Sequence, residues 1–344
     1  MFAAALLAGC EPPKAPIAVT DLQSTGDTVR TEFGRISEAA WIDDQHWAVL
    51  APDAPAVAEA DFKSHRLVRW GKPGDRDYRQ PVSLFRGGDS IYVGDWAMRR
   101  LTVWSLDGKL AGTIPATDAL RGVLPRARDA EGQFYLEFHP RPGPDGGGNR
   151  DSALVLRANP LLTRADSVAR LSPPDLAVVN GNSGRRFEPR ALSGVDRWGV
   201  LTDGTVWVAR VFQNRVDWIG RGGHLTRGDP LPDAVLPVTA ADREIFLRGF
   251  PKDLRAPAEE LPFAPIKPPF EDAHAGPDGR VWLEKSRAYG DSLRVYHVVD
   301  RAGKLVRAFR HRGDGHVLAV GAHTLLITEP STGGERLITY EIPQ

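Results

Sequence analysis

The chain has one cysteine in 344 residues, two methionines and no excess charge of either sign, with 44 basic and 44 acidic side chains. A lone thiol excludes an intramolecular disulfide, so the fold must hold itself by packing. Balanced charge leaves no global field to draw nucleic acid or an anionic membrane surface, and no nucleic-acid partner is expected. After residue 10 no apolar run is long enough to span a bilayer. Signatures of common enzyme chemistry are missing too. There is no H-E-x-x-H and no Cys/His cluster, which leaves a zinc site unsupported. No G-x-S-x-G elbow supports a serine nucleophile. Gly220-Arg221-Gly222-Gly223 lacks the lysine and following helix of a phosphate cradle. The nine histidines are scattered, with only His311, His316 and His323 near one another in sequence.

Turn residues, by contrast, are plentiful. The 35 glycines and 28 prolines suit many short strands joined by turns. One phrase recurs: a turn pair, then β-favouring residues around an aromatic. It reads Gly88-Asp89-Ser90-Ile91-Tyr92-Val93, Glu131-Gly132-Gln133-Phe134-Tyr135-Leu136, Asp203-Gly204-Thr205-Val206-Trp207-Val208 and Asp278-Gly279-Arg280-Val281-Trp282-Leu283. Degraded copies start at Asp44 and Gly321, giving six in all. Internal periodicity of this kind decides architecture before any single residue does. Trp47, Trp207 and Trp282 fall at the same place in the phrase, so they read as packing residues rather than a stacking platform. The copy at Gly88 shows the surrounding pattern whole: strands at Val82–Arg86, Ile91–Val93, Arg100–Trp104 and Leu110–Ile114, alternating at period two around Gly and Asp-Gly turns. An arginine opens the third strand in five copies, as Arg66, Arg100, Arg215, Arg294 and Arg336, but not in the third copy at Ala153.

The segment Gly71–Pro81, followed by Tyr92-Val93-Gly94-Asp95 and Arg100-Leu101, resembles an NHL repeat. Over most of residues 30 to 344 the chain is similar to the six-bladed, NHL-like β-propellers of bacterial envelope lipoproteins. The expected fold is all-β, a single six-bladed propeller of four-stranded antiparallel blades. First strands should begin near Ala39, Val82, Arg126, Arg197, Ala273 and Val317. The last blade has three strands, and a spare β-like segment at about residues 27–33 would complete it and close the ring, hiding both sheet edges. A seven-bladed or open ring is the competing arrangement. Two stretches break the period. Pro140–Asp151 is a Gly/Pro-rich loop, and about 232–270 is an insertion. In the insertion, Thr239 and Asp242 form a capping box for a short helix ending at Gly249. Ala241, Ile245 and Phe246 give that helix an apolar side, and Pro262–Phe270 reads as an extended strap.

At the other end, Leu7-Ala8-Gly9-Cys10 closes a short apolar run and precedes Glu11-Pro12-Pro13. This resembles the lipobox of bacterial lipoproteins. The resemblance implies a lipid anchor on Cys10, a tether over 11–26 and attachment to the bacterial cell envelope. Glu11 points to the outer membrane, facing the periplasm or the surface. No basic segment precedes the run, so 1–10 reads as a truncated signal peptide. The alternative is a fortuitously apolar N-terminus with one buried cysteine.

Loops after each second strand and connections between blades emerge on one propeller face, and both irregular stretches attach there. Loops on a rigid scaffold are where binding residues collect. The channel-mouth candidates are Asp95, Trp96 and Arg99, then Glu137 and His139, then Arg210 and Asn214, then Glu284 and Arg287, with Glu329 in the last blade. Glu137, Asn214 and Glu284 could offer oxygens to calcium, a hard cation. The competing reading has Asp95 and the arginines joining adjacent blades by salt bridges. The function expected is a binding or scaffold protein, monomeric, without cofactor, taking an unknown protein or small molecule at the loop face and meeting the membrane only through Cys10. The alternative is a calcium-dependent hydrolase or lactonase of the six-bladed gluconolactonase-like kind, in which the metal polarises a carbonyl. A lyase resembling the propeller amidating enzymes would need channel histidines for zinc, and His139 alone is suitably placed.

Overall fold

In the computed structural model, residues 17–71, 78–140, 152–181, 184–332 and 334–343 are described. Cys10, most of the Gly/Pro-rich loop and the centre of the Gly71–Pro81 segment lie outside them. The chain forms six blades around a central channel, each a four-stranded antiparallel meander with the first strand innermost. The inner strands are Glu38–Trp41, Pro81–Gly87, Ala127–Arg128, Arg197–Val200, Phe270–Ala275 and His316–Val320, as the spacing of the repeated phrase requires.

Ring closure follows the expected plan. The strand Gln23–Arg30 pairs antiparallel with Gly334–Glu341, with Thr28 opposite Ile338 and Val29 opposite Leu337. It starts and stops earlier than 27–33, because the ladder extends back past a bulge at Gly26 (φ +88°), where the left-handed backbone favours glycine. Glu335 fastens the junction to blade one. Its carbonyl accepts from Thr31 N at 2.9 Å and its Oε2 from Ile36 N at 2.7 Å.

The apolar residues assemble between blades rather than into one central core. Six clusters occur. Each joins neighbouring sheets, because a blade has two faces and can bury both only against its two neighbours. Trp47, Trp207 and Trp282 are all buried in these clusters, as their shared position implies. Between blades one and two, Trp104 Nε1 donates to Tyr78 Oη at 2.8 Å, and Tyr78 shares a 2.6 Å hydrogen bond with Thr102 Oγ1.

The structure corrects several details. In blade one Arg66 opens the fourth strand, Arg66–Arg69, the third being Ala56–Asp61. A strand at Val19–Asp21 adds in parallel to Leu305–Arg312, giving blade five a fifth strand. A separate hairpin, Leu176–Gly181 with Gly184–Pro189, precedes blade four. In the insertion, α1 (Ala240–Arg248) has the expected capping box, with Asp242 N donating to Thr239 Oγ1 at 3.3 Å. Leu247 is its buried residue, while Ile245 is half exposed. A second helix, α2 (Lys252–Glu259), follows it directly and carries Pro257 within it.

Val29 is fully buried and packs with Trp47, Leu326 and Leu337 in the cluster joining blades six and one. Val29→Ala is expected to cost about 2 kcal/mol in urea unfolding, from two buried carbons and the cavity left behind. A change within about 0.5 kcal/mol, the range of a surface substitution, would show that this strand does not close the ring.

Candidate functional site

The six inner strands enclose a channel of about 780 Å³. Residues from all six inner strands line this space. Asp272, Ala273 and His274 of blade five and Arg126, Ala127 and Arg128 of blade three belong to its wall. The Arg128 guanidinium lies over the Tyr92 and Phe134 rings between blades two and three. Glu38 from blade one, Arg86 from blade two and Arg197 from blade four add further charge to the wall.

These charges are organised in pairs. Asp272 Oδ1 lies 3.2 Å from Arg197 Nε, and its Oδ2 lies 3.5 Å from His274 Nε2. Burial pushes the Asp272 carboxyl up, but His274 and Arg197 prevail and hold it far below the usual carboxylate range. Burial likewise pushes His274 down, and the Asp272 charge overrides it, so the imidazole titrates above its ordinary value. Glu38 behaves oppositely. Burial raises its carboxyl, against the 2.9 Å hydrogen bond from Leu84 N and the Arg126 charge. The wall therefore holds one carboxyl disposed to keep a proton and one disposed to stay ionised.

Among the residues expected at the channel mouth, Glu137 alone lines the channel. Its Oε2 accepts from Trp198 Nε1 at 2.8 Å and lies 4.0 Å from Arg126, and its Oε1 lies 3.0 Å from His139 Nε2. Asp95 is fully buried and accepts from the backbone nitrogens of Arg79, Gln80 and Met98, pinning the approach to blade two. Trp96 is 63% exposed. Arg99 meets Asp118 at 2.8 Å. Arg210 bridges Asp196 at 2.9 Å and Asp217 at 3.1 Å, and donates to the Arg170 carbonyl of blade three. Glu329 pairs with Arg336 within blade six.

Asn214 donates to Asp233 Oδ2 at 2.7 Å and accepts from Lys285 at 3.3 Å. Glu284, buried, pairs with Arg294, and its Oε1 lies 3.1 Å from His316 Nδ1. Arg287 donates to the Asp291 carbonyl at 2.9 Å and reaches Asp314. Glu137, Asn214 and Glu284 thus sit in three separate groups of partners, and they do not fit a shared calcium ion. The Asn214 carbonyl faces an ammonium, and the Glu284 carboxylate faces a guanidinium, a cation's natural competitor. Among the described residues, no group of three or more His, Cys, Asp or Glu side chains could hold a metal ion.

Salt bridges do join blades, in places beyond those expected. Arg221 of blade four reaches Asp129 of blade three at 2.8 Å, and Arg301 of blade five reaches Asp203 of blade four at 2.6 Å. Both lie at turns on the opposite face. Of the arginines in the third strands, Arg294 crosses to the next blade, donating to the Asp314 carbonyl at 3.2 Å.

No protein-family model matches the chain, and no curated protein matches it. Solved structures do. A member of the DUF4221 family from Bacteroides vulgatus aligns over 95% of this chain and 96% of its own, at 8% identity and TM-score 0.50. A protein of Bacteroides fragilis described as exported aligns over 96% and 95%, at 8% identity and TM-score 0.52. A gluconolactonase from Xanthomonas campestris covers 97% and 99%, at 13% identity and TM-score 0.49. At these identities the likeness is one of fold.

The Asp272–His274 pair has a defined pH signature. His274, raised, contributes stability that is full below the unfolded value of about 6.5 and is lost as pH climbs through its folded pKa. Asp272, lowered, contributes above its unfolded value and loses that contribution only in strong acid. NMR titration should place the His274 midpoint above about 6.5, and Asp272→Asn should bring it down. An unchanged midpoint in the variant would show that the two groups are not electrostatically linked.

Proposed function

We propose that this propeller is a binding protein of the bacterial cell envelope, tethered by a lipid on Cys10, whose channel receives a small polar molecule. One observation carries the reading. A channel of about 780 Å³, in the size range of small-molecule sites, is lined by carboxylates and cations, Glu38, Arg126, Arg197, Asp272 and His274 among them. Charges of both signs paired at 3.2 to 4.0 Å, with the Arg197–Asp272 pair joining blades four and five, suit a ligand bearing both signs, such as a zwitterion or a polyhydroxylated acid. Arg126, whose side chain is 58% exposed, has the loosest of these pairings and is the natural first contact for an anionic group.

The tether rests on Leu7-Ala8-Gly9-Cys10 and on the proline-containing stretch that follows it. The outer membrane is the destination that Glu11 favours. Among the described residues no group of three or more His, Cys, Asp or Glu side chains offers calcium a site for the lactonase alternative, and binding is the reading the channel geometry supports best.

Two measurements test this. Full-length protein screened against small polar metabolites by thermal shift should yield ligands that stabilise it by about 2.7 kcal/mol at a hundredfold excess over Kd. Arg126→Ala should abolish that shift, leaving the melting of the free protein unchanged within the surface range. Stabilisation by calcium ions alone, together with lactone turnover, would overturn the reading in favour of the hydrolase. Separately, Cys10→Ser should move the protein from the membrane fraction to the soluble fraction of expressing cells. A variant still held in the membrane would remove the lipid tether from the account.

A further inference from the structure

The insertion between blades four and five builds a second cavity. Asp233, Leu236, Pro268 and Pro269 from the insertion face Lys285 and Arg287 of blade five around a pocket of about 260 Å³ that shares no lining residue with the channel. Lys285 is the last residue of the strand Val281–Lys285, and its side chain is 7% exposed. A lysine so placed is unusual, because the ammonium is strongly hydrated and is almost never fully buried unless paired. Here Nζ lies 2.6 Å from Asp233 Oδ2 and donates to Asn214 Oδ1 at 3.3 Å. Asp233 also accepts from Asn214 Nδ2 at 2.7 Å, and its Oδ1 lies 3.4 Å from His297 Nδ1. The amine therefore has a proton acceptor in contact, a second titratable group behind it, and a cavity in front. Beside it, the Ser286 hydroxyl is buried without a hydrogen-bond partner.

We propose that Lys285 is a nucleophile that forms an imine with a small carbonyl compound bearing a carboxylate, of the 2-oxo acid class. This goes beyond channel binding and does not depend on it. Asp233 takes a proton from the ammonium, and the freed Nζ lone pair forms a bond to the carbonyl carbon. The carbonyl π electrons move to oxygen, which takes one proton from the now cationic nitrogen to become a hydroxyl and then, with the proton returned from Asp233, leaves as water as the nitrogen lone pair forms the imine. The balance is one ammonium plus one carbonyl giving one protonated imine and one water, with nothing oxidised or reduced. Burial pushes the Lys285 amine below its ordinary value, against the pull of Asp233, and so favours the first step. Arg287 supplies the carboxylate recognition. Its present acidic partner, Asp314, is 3.4 Å away and 82% exposed, a loose pair that an incoming carboxylate can displace. The pocket lies slightly below the usual size range for drug-like ligands, which suits a compound of a few heavy atoms.

The test uses glyoxylate and cyanoborohydride with the full-length protein, followed by peptide mass mapping. A reduced carboxymethyl adduct should appear at Lys285 at least about tenfold faster than at the exposed Lys304 of the same molecules, with a rate that saturates in glyoxylate. Arg287→Ala should raise the half-saturating concentration for glyoxylate but not for acetaldehyde, which has no carboxylate. Asp233→Asn should slow labelling of Lys285 and leave Lys304 unaffected. Labelling of Lys285 no faster than Lys304, or strictly linear in glyoxylate, would overturn the nucleophile assignment without any variant having to fold. Equal effects of Arg287→Ala on both aldehydes would overturn the assigned substrate class.

Discussion

The ring is closed by one non-covalent seam, and every other feature depends on it. Residues from opposite ends of the chain, Val29 and Leu337, pair in one sheet and pack together onto Trp47 of blade one. With no disulfide available from a single cysteine, hydrophobic burial and the ladder between Gln23–Arg30 and Gly334–Glu341 are what keep the first and last blades in contact. The channel exists only while that seam holds. Its wall is drawn from all six inner strands, so opening one joint would separate Glu38 of blade one from the residues it faces.

The closed ring also explains the division between structure and chemistry. Each blade buries an apolar face against each neighbour, which consumes the conspicuous aromatics in six similar clusters. The inner strands also border the channel, and Glu38, Arg126, Asp272 and His274 bring charge to its wall. Low dielectric and mutual pairing then separate their proton affinities, holding Asp272 ionised and pushing Glu38 towards its acid form.

The fold was largely legible in the sequence because its signal is repeated. The turn phrase and period-two alternation recur around the ring, so errors of boundary in one copy are corrected by the others. Arg66 misled because the blade-one copy is short of the pattern and the arginine falls one strand later. The site was less legible. Attention to the loops found Glu137, but missed Glu38, Arg126, Arg197, Asp272 and His274, which sit on the inner strands themselves. The signal was available as charges two residues apart on a first strand, a spacing that a strand buried on both faces would not tolerate. Lys285 was hidden for a different reason. Its partner Asp233 lies in an insertion without periodicity, and only the folded chain brings the two together. The strand at Val19–Asp21 and α2 were missed because neither carries a repeat or a capping residue.

Amide hydrogen exchange across the seam tests the closed ring most directly. The amides of Thr28–Arg30 are expected to exchange as slowly as those around Trp47 and Leu326, since opening the seam would require the global unfolding that exposes the cluster joining blades six and one. Exchange at Thr28–Arg30 far faster than in blade six's inner strands would contradict the account, by showing that the first strand leaves the ring while the rest stays folded.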